Sequence, residues 1–166
     1  MPVTSHDSGS PAQEFGSVES VIPRYVAAAL LGTGATGIIQ GVEYGALEKI
    51  EFIGRKPRMQ FPSEAKFARF ISQVNSILAE YPAFRHGDNC QFLDDGHEAI
   101  IAAFRKDTGT QAKGFLVVCN FDIYHIQRIE IDLSAVIETG GPFTCYDLIS
   151  AQSRTFQQPY LDLQLP

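Results

Sequence analysis

The sequence predicts a mixed α/β segment followed by an all-β segment, and three patterns carry that expectation. Apolar residues recur at helical spacing over residues 18–30 and again over 67–81. A short apolar run between glycines, Gly37 to Val42, separates these two helices. From about Asp88 the pattern changes to short strands divided by turn residues. That change places a boundary near residues 85–90, so 1–86 and 87–166 are expected to be separate domains.

The elements follow in order. Residues 1 to about 17 read as an extended start and a loop, with Ser8-Gly9-Ser10-Pro11 as turn chemistry. In the first helix Val18, Val21, Ile22, Tyr25, Val26, Ala29 and Leu30 share a face; Ser20 is its expected N-cap, Pro23 is tolerated in the first turn and Gly32 is its stop. Gly37 to Val42 has the composition of a parallel strand buried on both faces. A loop rich in Arg, Lys and Pro, Gly54 to Arg58, leads to the second helix. Ser63 is its expected cap, Pro82 its terminator, and Phe67, Phe70, Ile71, Val74, Leu78 and Tyr81 its buried face.

In the second segment, residues 98–105 run to a turn at Lys106-Asp107-Thr108-Gly109, and Gly114 to Phe121 is an apolar strand. Ile126 to Leu133 alternates, with Ile129, Ile131 and Leu133 pointing one way and Arg128, Glu130 and Asp132 the other, which gives one buried and one wet face. After Thr139-Gly140-Gly141-Pro142 come strands at Phe143 to Ile149, Arg154 to Gln157 and Tyr160 to Leu165. Seven or so short strands fit a small antiparallel β-sandwich.

Composition removes several function classes. With 166 residues, 45% hydrophobic and 19% charged, the chain has the make-up of a globular protein. A net charge of -6, with 13 scattered basic residues, argues against a nucleic-acid partner, since such binders gather Lys and Arg on one face. No apolar run approaches the roughly 18 to 20 residues of a membrane helix, so no membrane partner is expected. Cys90, Cys119 and Cys145 are widely spaced without a CxxC pair, which reads as buried thiols in a reducing, cytoplasmic compartment. His86, His97 and His125 are too far apart in sequence to read as a metal site, and no metal or cofactor is implied. Gly32 to Gly37 spells GxGxxG, but these glycines follow a helix and open a strand; a dinucleotide pyrophosphate would meet the negative end of the helix dipole.

Two stretches carry chemistry: Thr4-Ser5-His6-Asp7 and Gln40-Gly41-Val42-Glu43-Tyr44-Gly45. The ordered set of His6-Asp7, helix, Gly41 to Gly45, a helix ending in Glu80-Tyr81-Pro82-Ala83-Phe84, and strands containing Val117-Val118-Cys119-Asn120 and Tyr146-Asp147-Leu148 resembles the alpha-amylase family of glycoside hydrolases. The resemblance runs from that family's seventh barrel strand nearly to its C-terminus. It implies that 1–86 is the C-terminal part of a catalytic (β/α)8 barrel, strands seven and eight with their helices. It implies likewise that 87–166 is the terminal β-sandwich domain, with its last strand missing.

By the same resemblance Asp7 is the catalytic carboxylate that stabilises the oxocarbenium-like transition state, while His6 and Glu43 are substrate-binding. Retaining hydrolysis needs two further carboxyl groups about 5 to 5.5 Å apart, which the family carries after strands four and five. Neither strand is in this sequence. The implication is therefore an inactive piece of a hydrolase or glucan transferase that acts on α-glucosidic bonds, whose partner in the full-length parent is an α-glucan or oligosaccharide. The piece is expected to self-associate through its exposed barrel interface. Ser8-Gly9-Ser10 and Gln40 depart from the family's commoner residues, which leaves amylase, glucosidase and transferase open. A rival reading is a non-enzymatic carbohydrate-binding or interaction module built on the sandwich, with Tyr124, Tyr146, Phe156 and Tyr160 as contact residues; the absence of Trp weakens it.

Overall fold

The computed structural model describes residues 3–5, 7–32, 36–49, 65–93, 96–107, 114–138 and 141–166. The chain divides into two compact units, Met1–Glu80 and Tyr81–Pro166. The architecture is mixed, with short helices and antiparallel sheets. Among the described residues no strands close into a barrel, and the ladders do not join into two continuous sheets. No described helix is long and apolar enough to cross a membrane.

The front unit begins with a helix where a loop was expected. Helix α1, Pro11–Phe15, forms because Ser10 and Gln13 make a reciprocal capping box, Pro11 presets the first turn, and Gly16 ends it in the left-handed region at φ 81. Ser17, not Ser20, caps the next helical stretch: its hydroxyl accepts from the Glu19 N–H, a 3-10 turn spans Val18–Ser20, and helix α2 continues over Val21–Val26. Ser20 is buried, and its hydroxyl donates to the Ser17 carbonyl at 2.6 Å and the Pro11 carbonyl at 3.2 Å.

A π-helical turn, Ala27–Leu31, carries the segment to Gly32. Ala28, Ala29 and Leu30 of this turn are all buried. Ile22, expected on the buried face, is instead exposed.

Helix α3, Ala68–Glu80, buries Ile71, Val74 and Ile77 below Phe67. Ile77 takes the place expected of Leu78, and Phe70 is only half-buried. Each fully buried side chain of this size contributes roughly 1.5–3 kcal/mol. The Tyr25 hydroxyl donates to Asn75 Oδ1 at 2.7 Å and so links α2 to α3. Ser63 and the loop 54–58 lie outside the described residues.

Among the described residues the back unit has a 3-10 turn, Pro82–Arg85, followed by seven strands. Strands β1 (Cys90–Phe92), β2 (Ile100–Lys106) and β3 (Gly114–Asn120) form one antiparallel sheet in that order; β1 was not foreseen. Strand β4 (Gln127–Asp132) pairs with β7 (Tyr160–Leu165), and β5 (Phe143–Asp147) with β6 (Gln152–Phe156). All three ladders feed one apolar cluster, with Ile100, Ala102 and Phe104 from β2, Ile129 and Ile131 from β4, and Leu161 from β7 at its centre. The alternation expected for β4 is present: Ile129 and Ile131 are buried, Arg128, Glu130 and Asp132 exposed.

Strand β5 ends two residues before its expected end at Ile149. The Asp147 carboxylate accepts from the Ile149 and Ser150 N–H groups and turns the chain toward Ala151, whose φ is 58. Of the expected turns, Thr108-Gly109 and Thr139-Gly140 lie outside the described residues.

Arg105 is fully buried in this unit. Its Nη1 donates to the carbonyls of Ala83 (3.2 Å) and His86 (2.6 Å) and to Asn89 Oδ1 (3.0 Å), binding the lead-in segment to β2. Desolvating a guanidinium is tolerable only where its donors are met in this way.

Candidate functional site

Asp7 and Glu43 both belong to the front unit. Asp7 sits exposed in a turn built by its serine neighbours. Ser5 N–H donates to Ser8 Oγ at 2.9 Å, Ser8 Oγ donates to the Ser5 carbonyl at 3.2 Å, and Asp7 N–H donates to Ser5 Oγ at 3.2 Å. Short hydroxyl side chains that bond nearby backbone fix such turns without help from a sheet. His6 lies outside the described residues.

Glu43 occupies a different local structure. Gly41 adopts φ 111 and Gly45 φ 79, conformations open to glycine, and between them Val42–Tyr44 forms one 3-10 turn. The Gly37 to Val42 stretch is therefore not a regular strand: it makes one bridge at Gly37 and then turns at Gln40-Gly41. One oxygen of Glu43, Oε2, accepts from the Gly41 N–H at 2.7 Å, and the Glu43 carbonyl accepts from Phe67 N–H at 2.8 Å. The side chain is half-buried and borders an open groove of about 480 Å3, lined also by Ile38, Ala68, Ile71, Ser72 and Asn75.

Two bonds tie the Asp7 segment to the Glu43 segment. Val3 N–H donates to the Gly37 carbonyl at 3.3 Å, and Lys49 Nζ donates to the Asp7 carbonyl at 3.0 Å. The sequence pattern did not mark Lys49, since a single lysine past a turn carries no periodicity. Thr4, which opens the Thr4-Ser5-His6-Asp7 stretch, is buried, and its hydroxyl has no hydrogen-bond partner among the described residues. The remaining histidines belong to the back unit, where His97 Nδ1 accepts from Ala99 N–H at 3.1 Å and the His125 ring pairs with Asp122 at 2.9 Å. Chemically, Asp7 offers an exposed carboxylate able to accept hydroxyl hydrogen bonds or face a developing positive charge. Glu43 offers one whose Oε2 already holds its own turn.

No protein-family model matches the sequence. No curated protein matches it either. Among solved structures, the chain is similar in fold to AmyB, a noncanonic maltogenic alpha-amylase from Thermotoga neapolitana, with a TM-score of 0.72 at 14% identity over 99% of this chain. It is similar also to the Nostoc punctiforme debranching enzyme, in acarbose-soaked crystals, with a TM-score of 0.58 at 18% identity over 95% of this chain. It spans 38% of the first chain's length and 31% of the second's. At these identities the likeness is one of fold.

Proposed function

We propose that this chain is the C-terminal portion of an alpha-amylase-type enzyme acting on α-glucosidic bonds, and that by itself it is inactive. Residues 1–86 supply the last two βα units of a (β/α)8 barrel, and 87–166 form a terminal β-sandwich whose sheets share the apolar cluster. The observation that carries this reading is the fold likeness over 99% of the chain to an alpha-amylase, taken together with the motif set around Asp7 and Glu43. An α-glucan or oligosaccharide is the partner of the longer protein.

In this reading Asp7 stabilises positive charge at the sugar's anomeric carbon, and His6 holds the same ring. Glu43 binds substrate indirectly: its bond to Gly41 N–H fixes the turn that follows strand eight. A glycosyl-enzyme intermediate needs a nucleophile and an acid/base that this sequence does not supply. The exposed barrel surface favours self-association.

Two measurements test the proposal. The purified chain, assayed on starch, maltooligosaccharides and a nitrophenyl α-glucoside, shows no turnover above an Asp7→Asn control; turnover above it overturns the claim of inactivity. The encoding DNA, read upstream in frame, supplies two carboxylate-bearing strands of a barrel. An upstream frame closed by a stop codon rejects the parent enzyme.

A further inference from the structure

The solvent face of the β4–β7 ladder carries an arrangement that packing does not require. The register sets Glu130 directly opposite Asp162, with Arg128 opposite Gln164 and Asp132 opposite Tyr160. Two carboxylates facing each other across strands repel, and a surface under no other demand would not keep them there. Here each has a donor on the diagonal. Arg128 grips Asp162 in a two-point contact, Nε to Oδ1 at 2.7 Å and Nη2 to Oδ2, and the Tyr160 hydroxyl donates to Glu130 Oε2.

These bonds perturb the groups involved. The hydrogen bond to Glu130 raises the Tyr160 phenol above its usual range, and the hydrogen bond from Arg128, with the Arg128 and Arg154 charges, lowers the Asp162 carboxyl.

The physical result is a flat aromatic ring held at its far end yet 47% exposed. Exposed ion pairs contribute little to stability, so holding that ring still is the main thing this network accomplishes. A pre-ordered ring loses little entropy on binding. On the same face stand a donor edge and an acceptor edge, Arg128 Nη1 and Glu130 Oε1, that take no part in these bonds. From residue 128 to 132 the ladder runs about 13 Å, the length of a short oligosaccharide rather than of one ring.

We infer that this face, centred on Tyr160 with Glu130, Arg128 and Asp162, is a binding surface for a neutral oligosaccharide chain, separate from the Asp7 and Glu43 region. The ring stacks on the apolar face of a sugar, and the donor and acceptor edges take its hydroxyls. Three carboxylates against one arginine on the ladder disfavour an anionic polymer. The surface needs no catalytic group and works in a chain without turnover. Only the choice of α-glucan as the first probe rests on the proposed function.

The test is electrophoresis of the full chain in native gels containing soluble starch, laminarin or xylan. Retardation in at least one gel is expected. Tyr160→Ala should weaken it about tenfold, with Tyr146→Ala unchanged and the circular dichroism spectrum preserved. If Tyr160→Ala does not fold, Glu130→Gln and Asp162→Asn are read instead, each weakening retention about threefold.

Retardation by laminarin or xylan alone keeps the surface and rejects the α-glucan reading. No retardation in any gel, or equal retardation of the folded Tyr160→Ala chain, overturns the inference. Concentration-dependent self-association in the absence of sugar that Tyr160→Ala abolishes assigns the face to a second copy of the chain, and overturns it too.

Discussion

In the back unit, seven strands pair within that unit into antiparallel ladders that bury one apolar cluster. In the front unit the extended stretch at 36–40 makes one bridge, and order comes from α2, its π-helical continuation and α3 packing together, with serine-rich turns holding the rest. The contrast is between a unit that supplies its own neighbours and one whose sheet-forming stretch, among the described residues, has found only one. Antiparallel neighbours are joined by short hairpins and close locally, whereas a parallel strand depends on others distant in sequence.

The largest expected effect lies in the back unit. Arg105→Met strands the carbonyls of Ala83 and His86 and the Asn89 oxygen, and should lower that unit's stability by about 3 kcal/mol. Cys119 is buried there, so the rate at which its thiol labels in urea reads that unit's unfolding. A loss below about 1 kcal/mol would mean the arginine is dispensable. In the front unit, Val74→Ala opens a cavity at a fully buried site of α3 and should cost about 2 kcal/mol. Amide exchange of residues 68–80 is the readout, and cysteine labelling should not change.

A smaller effect comes from pH. Burial pushes the Cys119 thiol up to about 12 from an ordinary 9.0. The native state therefore holds its proton where the unfolded chain releases it, and that contribution is complete below pH 9 and lost as pH rises toward 12. Between pH 9 and pH 10 the back unit should lose about 1 kcal/mol that Cys119→Ala does not lose; parallel curves for the two proteins contradict this.

The smallest effect concerns the front unit's surface. The hydrogen bond from Lys66, then that from Ser17, lowers the Glu19 carboxyl to about 2 from 4.5. A depressed carboxyl stabilises the fold above pH 4.5, and that contribution fades as pH falls toward 2. Because Glu19 and Lys66 are each about half exposed, Glu19→Gln should cost no more than about 0.5 kcal/mol, and only above pH 4.5. An equal loss at pH 2 would show that the side chain acts through packing.

Legibility in the sequence divides along the same line. The alternation of Ile129 and Ile131 with Arg128 and Glu130 announced β4, since a period of two is local and survives any partner. The stop at Asp147 was missed because the strand-like run continues to Ile149 while a single carboxylate ends it. In the front unit, Ser10-Pro11-Ala12-Gln13 was a readable helix start that its turn residues masked. The π-helical turn had no signal, as Ala28, Ala29 and Leu30 fit an ordinary helix equally well. Asp7 and Glu43 were singled out through the order of motifs around them, while Lys49 gains its place only from the fold.

The central claim is that the front unit is part of a larger barrel while the back unit stands alone. Size-exclusion chromatography with light scattering, on the full chain and on residues 81–166, addresses it most directly. The account predicts a self-associating full chain and a monomeric, folded 81–166. A full chain that elutes as a monodisperse monomer contradicts it, because the front unit would then need nothing beyond itself.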